Sequence, residues 1–230
     1  MEEFSREIKL IGQENFEKLK NSKILLFGIG GVGGYVLESL ARSGVEHITI
    51  VDFDTVSESN LNRQIIALKT TIGKYKVDVA KERVNNINPN CNVQAIKEKL
   101  TKENIDSFNF KNYDFVIDAI DMVTSKLLII EKAKKENVEV ISCMGTGNKL
   151  DATKLQICDI SKTNYCPLAK VMRKVLKNRE IYHLNVVFST EQPKRFDEKQ
   201  RKVTPASIAY VPAVAGLYIS QFVIKKLMEK

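Results

Sequence analysis

The order of apolar and polar positions along the chain predicts alternating strands and helices. Short runs rich in Val, Ile, Leu and Phe predict buried strands at 23–27, 48–51, 93–96 and 113–119. Segments with apolar residues three and four positions apart predict helices at 33–42 and 73–88, the second stopped by Pro89. Because strands that alternate with helices form parallel sheets, this order predicts an α/β fold.

The second half of the chain continues the pattern. We expect a short helix that begins near Thr101, a helix from a capping Thr124 to about residue 137, and a strand at 139–142. Later strands are expected at 154–159 and 184–189, and a closing helix at 214–227. The predicted fold is Rossmann-like, a mostly parallel sheet with helices on both faces and some antiparallel strands toward the C-terminus. We expect a single domain over residues 1–230, with a basic insertion at about 161–207.

A glycine-rich turn joins the first predicted strand to the first helix. It reads Gly28-Ile29-Gly30-Gly31-Val32-Gly33. Asp52 stands at the end of the second strand, where doubly wound folds place a ribose-binding acid. Glycines permit the tight turn and a close approach of the backbone to phosphate, and the helix dipole favours an anion there. Such a turn can also merely close a strand–helix unit, but the acid at this spacing favours nucleotide binding.

A polar loop follows Asp52 and adds groups that a hydride-transfer site does not need. It carries Asp54, Asn60, Arg63 and Gln64. An arginine and two amides beside the glycine turn suit the phosphates of ATP better than a nicotinamide cofactor. Asp121 follows the strand at 113–119, at the sheet edge where open α/β sheets bind ligands.

Length and composition exclude other classes of protein. The chain has 230 residues, enough for a stable core, and it has no apolar run of membrane-spanning length. Its first residues lack a secretory pattern. We therefore expect a soluble, cytoplasmic protein without a membrane partner.

The cysteines and histidines suggest neither a disulfide framework nor a zinc site. Cysteines stand without a Cys-x-x-Cys pair at positions 91, 143, 158 and 166, and the histidines are solitary at 47 and 183. We interpret the cysteines as reduced thiols and the histidines as structural residues. A catalytic role for Cys143 or Cys166 stays open, because reactivity depends on a lowered pKa that a sequence does not show.

Positive charge is concentrated in one stretch of the chain. Between Lys162 and Lys202, eleven Lys and Arg accompany four Asp and Glu, an excess of seven within a formal net charge of +8. Six of these cations are candidates for contact with a nucleic acid: Lys170, Arg173, Lys174, Lys177, Lys194 and Arg195. A stretch of this kind is often only a solvated face, but a nucleic acid would bind it with a strong dependence on salt.

The order and spacing of these motifs resemble the adenylation core shared by ubiquitin-activating enzymes and the bacterial enzymes that adenylate sulfur-carrier proteins. The matching positions are the glycine turn, Asp52, Asp54, Asn60, Arg63, Gln64, Lys76 and Asp121. Within this family the chain resembles the tRNA threonylcarbamoyladenosine dehydratases at 4–6, 145–151, 187–191 and 207–216. It lacks the zinc-binding cysteine pairs usual in the carrier-adenylating relatives, and Ala152 stands where the dehydratases commonly have proline.

The resemblance implies an ATP-dependent cyclisation of N6-threonylcarbamoyladenosine next to the tRNA anticodon. An adenylated carboxylate would be the intermediate, and AMP and pyrophosphate would be the products. Because the second nucleophile belongs to the substrate, proximity supplies much of the second step without a cysteine nucleophile. The implied ligands are ATP and Mg²⁺, the implied assembly is a homodimer, and the help of a sulfur-transfer protein stays open.

The resemblance also implies a role for each site residue. Asp52 would bind the ribose, the glycine turn the adenosine and α-phosphate, and Asp121 the Mg²⁺ that accompanies ATP. The triphosphate would be contacted by Asn60, Arg63, Gln64 and Lys76. Arg6 matches the position from which the family reaches the ATP of a dimer partner.

Structural alternatives exist for each of these residues. Asp52 and Asp121 could cap local turns, Arg63 and Lys76 could form surface ion pairs, and Arg6 could be a solvated terminal residue. Two other functions compete as well. One is adenylation of the C-terminal glycine of a small sulfur-carrier protein, and the other is non-catalytic nucleotide binding or an NAD-linked role.

Overall fold

Seven strands form one sheet in the computed structural model, which describes residues 2–194 and 205–230. Their bounds are β1 Lys23–Phe27, β2 His47–Val51, β3 Asn92–Ile96, β4 Phe115–Asp118, β5 Val140–Cys143, β6 Leu155–Asp159 and β7 Asn185–Ser189. They lie in the order β3-β2-β1-β4-β5-β7-β6. Every neighbouring pair is parallel except β6 and β7, so β6 is an antiparallel edge strand. The predicted fold class is therefore confirmed.

Helices cover both faces of this sheet. Their bounds are α1 Ser5–Ile11, α2 Gln13–Asn21, α3 Gly33–Arg42, α4 Lys76–Ile87, α5 Val123–Glu136, α6 Pro167–Lys177 and α7 Tyr210–Met228. One core cluster joins α3, α4 and α7 to one face, and a second joins α5 and α6 to the other. α7 is long and apolar enough to cross a membrane, but it packs on α3 and half of its apolar window is buried in the core.

The strand order places a ligand crevice beside β1. β1 pairs with β2 on one side and with β4 on the other, and the chain crosses the sheet between β3 and β4. Loops that leave the carboxyl ends of β1, β2 and β4 therefore diverge around one opening. Ligands of open parallel sheets bind at such a switch in strand order.

Several predicted boundaries are wrong, each for a local reason. The helix expected near Thr101 is a set of turns followed by a 3-10 turn at Ile105–Ser107, because Asn104 Oδ1 accepts the Thr101 N–H at 2.8 Å. Thr124 is not a cap, since α5 begins one residue earlier at Val123. α4 begins at Lys76, three residues after the predicted start, because Gly73 has a φ of 86° and leaves the helical region.

α7 also begins earlier than predicted. It starts at Tyr210, four positions before the expected residue 214, and it includes Pro212 in its first turn. Proline is tolerated there because the amides of the first turn have no partner within the helix. The early start brings Pro212 to the crevice, where it contacts the glycine turn.

Candidate active site

A cavity of about 330 Å³ occupies the crevice at the carboxyl edge of the sheet. Its lining includes ten of the residues predicted to bind nucleotide: Gly28, Gly30, Gly31, Asp52, Asp54, Asn60, Arg63, Gln64, Lys76 and Asp121. Gly33 lies below the turn instead, and Arg6 is not among the lining residues. The fold thus brings together side chains from three loops and the first turn of α4, as the sequence predicts.

The glycine turn keeps the floor of the cavity free of side chains. Gly28 has a φ of 90°, and a Cβ there would lie 2.8 Å from the Ala119 carbonyl oxygen. A Cβ on Gly33 would lie 1.8 Å from the Gly28 carbonyl oxygen, so only glycine permits this packing of α3 on the strand end. Gly30 faces open space, where a Cβ would meet only Gln64 Nε2, at 3.9 Å. The turn therefore exposes backbone to whatever fills the cavity.

Asp52 stabilises this turn from the end of β2. Its Oδ2 accepts the Ile29 N–H at 2.6 Å, and its Oδ1 accepts the Asp54 N–H at 2.9 Å. Burial raises the pKa of the Asp52 carboxyl above its usual value, and the nearby Lys76 ammonium only partly opposes that rise. Asp52 thus braces local backbone, as the structural alternative proposes, and it also lines the cavity.

Lys76 is the buried cation of the site. Its Nζ lies 2.7 Å from Asp54 Oδ2, and its side chain is 7% exposed against 47% for Asp54. Lys76 is the first residue of α4, so the start of that helix fixes its Cα at the cavity wall. Lys76 is therefore not part of an ordinary surface ion pair, because its side chain is buried while the carboxylate of Asp54 is open to solvent.

The polar loop presents an amide and a guanidinium. A 3-10 turn at Glu58–Asn60 is stabilised by the Asn60 side chain, since Asn60 Oδ1 accepts the Ser57 N–H at 3.0 Å. Arg63 follows, and its Nη1 donates to the Ser59 carbonyl oxygen at 2.7 Å and to Asn62 Oδ1 at 2.9 Å. Both hydrogen bonds use one terminal nitrogen, which leaves Nη2 available to a ligand.

Gln64 supplies a sign that a ligand belongs here. Its side chain is buried at the cavity wall, and its Oε1 has no hydrogen-bond partner in the described part of the chain. Buried amide oxygens are normally paired, because leaving one unpaired costs about 1–3 kcal/mol. A bound molecule with a hydrogen-bond donor would supply the missing partner.

Asp121 is an exposed carboxylate at the cavity, in the loop between β4 and α5. No group of three His, Cys, Asp or Glu side chains within 2–194 and 205–230 is arranged to hold a metal ion alone. Mg²⁺ that arrives with a nucleotide needs only one or two carboxylates, since phosphates and waters complete its shell. The residues present therefore fit a nucleotide-borne Mg²⁺ and not a protein cage.

A buried ion pair below Asp121 was not predicted from the sequence. Lys126 Nζ donates to Asp118 Oδ2 at 2.9 Å, to Ser142 Oγ at 3.2 Å and to the Cys143 carbonyl oxygen at 2.7 Å. Lys126 and Asp118 are both 0% exposed. The pair ties the ends of β4 and β5 to α5, and it thereby fixes the two ends of the loop that carries Asp121.

Other cavity residues also escaped the sequence analysis. They come from the segment after β3, from two distant loops and from the first turn of α7: Glu98, Lys99, Leu100, Thr146, Ser207 and Pro212. Lys99 Nζ lies 5.6 Å from the centre of the Phe53 ring, which is 45% exposed at the cavity. The segment after β3 has no motif, and the family-like runs at 145–151 and 207–216 were not placed at the site because that placement depends on the strand order.

The thiols of Cys143 and Cys91 are poor candidates for nucleophiles. Cys143 is fully buried, and burial raises the pKa of its thiol to about 12. Burial likewise raises the pKa of Cys91 to about 12. Because the thiolate is the nucleophilic form, Cys143 is unreactive near neutral pH. All four cysteines are free.

The predicted tRNA-binding residues lie outside the cavity. Lys170, Lys174 and Lys177 are exposed along α6, beside a groove of about 490 Å³. Arg173 differs from them, because its guanidinium donates to the Thr163 carbonyl oxygen at 2.7 Å. Lys194 is exposed, whereas Arg195 lies outside the described residues.

Comparison with known proteins assigns this fold and site to a family. A sequence profile of the ThiF family matches residues 4–230. The chain belongs to the ThiF family.

Individual relatives show which branch of the family the chain resembles. The chain is 41% identical to the tRNA threonylcarbamoyladenosine dehydratase of Bacillus subtilis (strain 168), over 100% of this chain and 96% of that protein. The crystal structure of Escherichia coli tRNA N6-threonylcarbamoyladenosine dehydratase, TcdA, in complex with ATP is 31% identical, with a TM-score of 0.91 and coverage of 99% of this chain and 94% of that one. The complex of the same enzyme with AMP gives a TM-score of 0.92 at the same identity and coverage. The resemblance to the dehydratases is therefore confirmed.

Proposed function

We propose that this chain catalyses the ATP-dependent dehydration of N6-threonylcarbamoyladenosine in tRNA, at the position next to the anticodon. The observation that carries the proposal is the composition of the cavity. A floor of bare backbone at Gly30 is faced by the cations Arg63 and Lys76 and by the unpaired Gln64 oxygen. The bare backbone and the two cations suit a triphosphate, the unpaired Gln64 oxygen suits a hydrogen-bond donor of a nucleoside, and the similarity to dehydratases over the whole chain selects the substrate.

The first step joins the substrate to AMP. The threonyl carboxylate oxygen attacks the α-phosphorus of ATP, the bond from that phosphorus to the bridging oxygen of the β-phosphate breaks, and pyrophosphate leaves. Negative charge grows on the phosphate oxygens during this step, and preorganised cations stabilise it. Arg63 and Lys76 would supply these cations, while Asn60 and Gln64 would donate amide hydrogens.

The second step uses the adenylate as a leaving group. An atom of the neighbouring carbamoyl group attacks the activated carbonyl carbon, AMP departs, and one proton is released. The net result is the loss of one water from the nucleoside. Holding the two groups together supplies much of the rate, because ring closure is intramolecular. The high pKa of Cys143 agrees with a mechanism that needs no thiolate.

The loop at the end of β4 would hold the metal that accompanies ATP. Asp121 would contribute the protein carboxylate, and Mg²⁺ would neutralise charge on the phosphates. The carboxyl group of Asp52, whose pKa is raised by burial, would accept hydrogen bonds from the ribose.

tRNA would lie along α6. A Cβ on Gly145 would lie 3.6 Å from Cys166 Sγ, so α6 begins beside the loop that carries the cavity residue Thr146. Its far end approaches His183, which precedes β7 and therefore lies at the amino ends of the parallel strands. The exposed lysines of α6, from Lys170 to Lys177, thus form a track of roughly 10 Å that leads away from the cavity. Lys194 and Arg195 would extend the contact, and a tRNA-modifying enzyme of this kind would work in the cytoplasm.

The complete site would contain two copies of the chain. Arg6 lies on α1, which packs on α2, and it does not line the cavity of its own chain. We infer that each copy is one adenylating domain and that Arg6 reaches the ATP of a partner in a homodimer. Mixing an Arg6→Ala variant with an Arg63→Ala variant tests this, since mixed dimers would contain one intact site and recover roughly a quarter of wild-type activity. Recovery no greater than the sum of the separate variants would refute the shared site.

A direct assay tests the proposed reaction. The protein is incubated with ATP, Mg²⁺ and tRNA that carries the threonylcarbamoyl modification, and the nucleosides are analysed by mass. The expected result is the loss of one water only when ATP is present, with AMP formed in step. If ATP–pyrophosphate exchange is instead stimulated by a small sulfur-carrier protein and not by tRNA, the alternative adenylation function is correct.

A further inference from the structure

A chain of hydrogen bonds connects Arg63 to a loop on the far side of the cavity. Arg63 Nη1 donates to Asn62 Oδ1 at 2.9 Å, and Asn62 Nδ2 donates to the Ser207 carbonyl oxygen at 3.0 Å. Asn62 therefore lies between the guanidinium and a segment that is 145 positions away in sequence. This contact fixes the orientation of the Asn62 side-chain amide. Because Nδ2 donates to Ser207, the amide oxygen points toward Arg63.

The segment at Ser207 is itself fixed by Asn148. The Asn148 N–H donates to the Ala206 carbonyl oxygen at 2.7 Å, and the Ala206 N–H donates to Asn148 Oδ1 at 2.8 Å. Asn148 adopts a left-handed conformation with a φ of 59°, which asparagine tolerates better than most residues. A Cβ on Gly147 would lie 2.6 Å from Pro205 Cβ, so the two segments touch closely.

Asn148 also joins this segment to the rest of the sheet. Its carbonyl oxygen accepts the Lys194 N–H at 2.7 Å. The next residue, Lys149, is buried and donates through Nζ to the carbonyl oxygens of Gly145 at 3.0 Å and Ser189 at 3.3 Å. The segment at Ala206 is therefore connected, through Asn148 and Lys149, to the ends of β5 and β7.

We propose that Asn62 and Asn148 are positioning residues that hold Arg63 for contact with the triphosphate. The hydrogen bonds that Arg63 Nη1 donates to Asn62 Oδ1 and to the Ser59 carbonyl oxygen restrain this nitrogen and leave the other edge of the guanidinium for phosphate. Because Lys194 meets Asn148 as well, the same network connects the basic stretch of the chain to the arginine at the phosphates. The proposal rests on the proposed role of Arg63 at ATP.

Removing the link at Asn62 should lower turnover through Arg63. In Asn62→Leu the side chain keeps its approximate shape but loses both hydrogen bonds, and we expect turnover to fall about tenfold, since small displacements of a positioned group are costly. The KM for ATP should change less than kcat, because the loss is greatest where charge develops. Asn86→Leu is the matched control, as Asn86 is an exposed residue of α4 whose amide bonds only to its own helix, at Glu82.

A double-mutant cycle separates positioning from a general structural effect. The variant Asn62→Leu/Arg63→Ala should be no slower than Arg63→Ala alone, because the relay has nothing left to position. If the two losses multiply, Asn62 does not act through Arg63 and the proposal is wrong. Wild-type turnover in Asn62→Leu would overturn it equally.

Two variants of Asn148 provide a second measurement. Asn148→Gly keeps the left-handed backbone and the donation to Ala206 but loses the side-chain acceptor, whereas Asn148→Asp keeps an acceptor at that place. Turnover should fall several-fold in Asn148→Gly and recover in Asn148→Asp. Equal effects of the two substitutions would exclude the relay through Ala206.

ATP affinity, measured by calorimetry without tRNA, distinguishes failure of the relay from failure of the proposed function. If the wild-type protein leaves tRNA unchanged, the proposed function fails. In that case, a loss of affinity in Asn62→Leu that disappears in the Arg63→Ala background would still support the relay, and additive losses would refute it.

Discussion

Two lysine–aspartate ion pairs lie near the same edge of the sheet and differ in what they leave available. Lys76 pairs with the half-exposed Asp54 at the cavity wall, whereas Lys126 and Asp118 are both 0% exposed. Lys126 uses its three donors on Asp118, Ser142 and the Cys143 carbonyl. The two pairs thus differ in the number of remaining lysine donors and in the access of solvent. Under the proposed function the first pair would serve chemistry and the second would serve architecture.

Loss of the buried lysine should produce the largest effect on folding. Lys126→Met leaves the Asp118 carboxylate uncompensated in the core, and we expect the free energy of unfolding to fall by about 3–5 kcal/mol, measured by urea denaturation. The double variant Lys126→Met/Asp118→Asn should recover part of the loss, because it removes the unpaired charge. Lys76→Met is the matched control, and its cost should stay below about 1 kcal/mol since Asp54 is reached by water. Equal losses at the two lysines would contradict the comparison.

Removing the charged groups that face the cavity should reduce catalysis most. Arg63→Ala and Asp121→Ala should each lower turnover by roughly 10² to 10³, the effect of deleting one preorganised charge-stabilising group. Single-turnover formation of AMP measures the loss, and circular dichroism checks that each variant is folded. Near-normal rates in either variant would reject its assigned role.

Lys76→Met should lower turnover without lowering the stability of the fold. We expect turnover to fall by about 10² while the unfolding midpoint stays close to that of the wild type, because the ammonium contributes mainly at the phosphates. The measurement pairs steady-state AMP formation with denaturation of the same sample. A variant that is unstable yet fully active when folded would assign Lys76 to the architecture instead.

Loss of the α6 lysines should have a smaller effect than the preceding substitutions, and it should act on tRNA binding. Replacing Lys170, Lys174 and Lys177 by Gln should lower affinity for tRNA and flatten its salt dependence by roughly 0.9 for each phosphate that the variant no longer neutralises. Arg173 is left unchanged because it bonds to Thr163. A control with the same change of charge uses three lysines of the α4 and α7 side of the sheet: Lys81, Lys225 and Lys226. Equal slopes for the two variants would place tRNA elsewhere.

The smallest effect is expected at the thiol beside the buried pair. Burial raises the pKa of Cys143 to about 12, so its thiol stays protonated across the working range of pH. We expect Cys143→Ala to change turnover by less than about twofold and to leave its pH profile unchanged. A loss of activity in a folded variant would reopen covalent catalysis.

The sequence predicts the half of the site that is local along the chain. The glycine turn, Asp52 and the loop to Gln64 follow one another, so their spacing alone indicates a nucleotide pocket. The cluster of Asp118, Lys126 and Ser142 was missed because its members come from three elements, β4, α5 and β5, that only the strand order brings together.

The relay at Asn62 was missed for the same reason. Its partner Ser207 is distant in sequence, and the contact depends on where α7 begins. The predicted cap at Thr124 shows the opposite failure, because a local preference for threonine at helix starts was overridden by an earlier start at Val123. A long-range contact, and not local propensity, decides the relay at Asn62.

The ion pair between Lys76 and Asp54 means that the cavity wall itself supplies an anion. A phosphate that approaches Lys76 must compete with Asp54 for it, so arrival of the nucleotide is an exchange of partners and not the filling of a bare positive site. Under the proposed function, the same competition would act on AMP and pyrophosphate after the reaction, when Asp54 could pair with the ammonium again. A carboxylate in the cavity wall would thereby weaken the binding of products and help to clear the cavity for the next turnover.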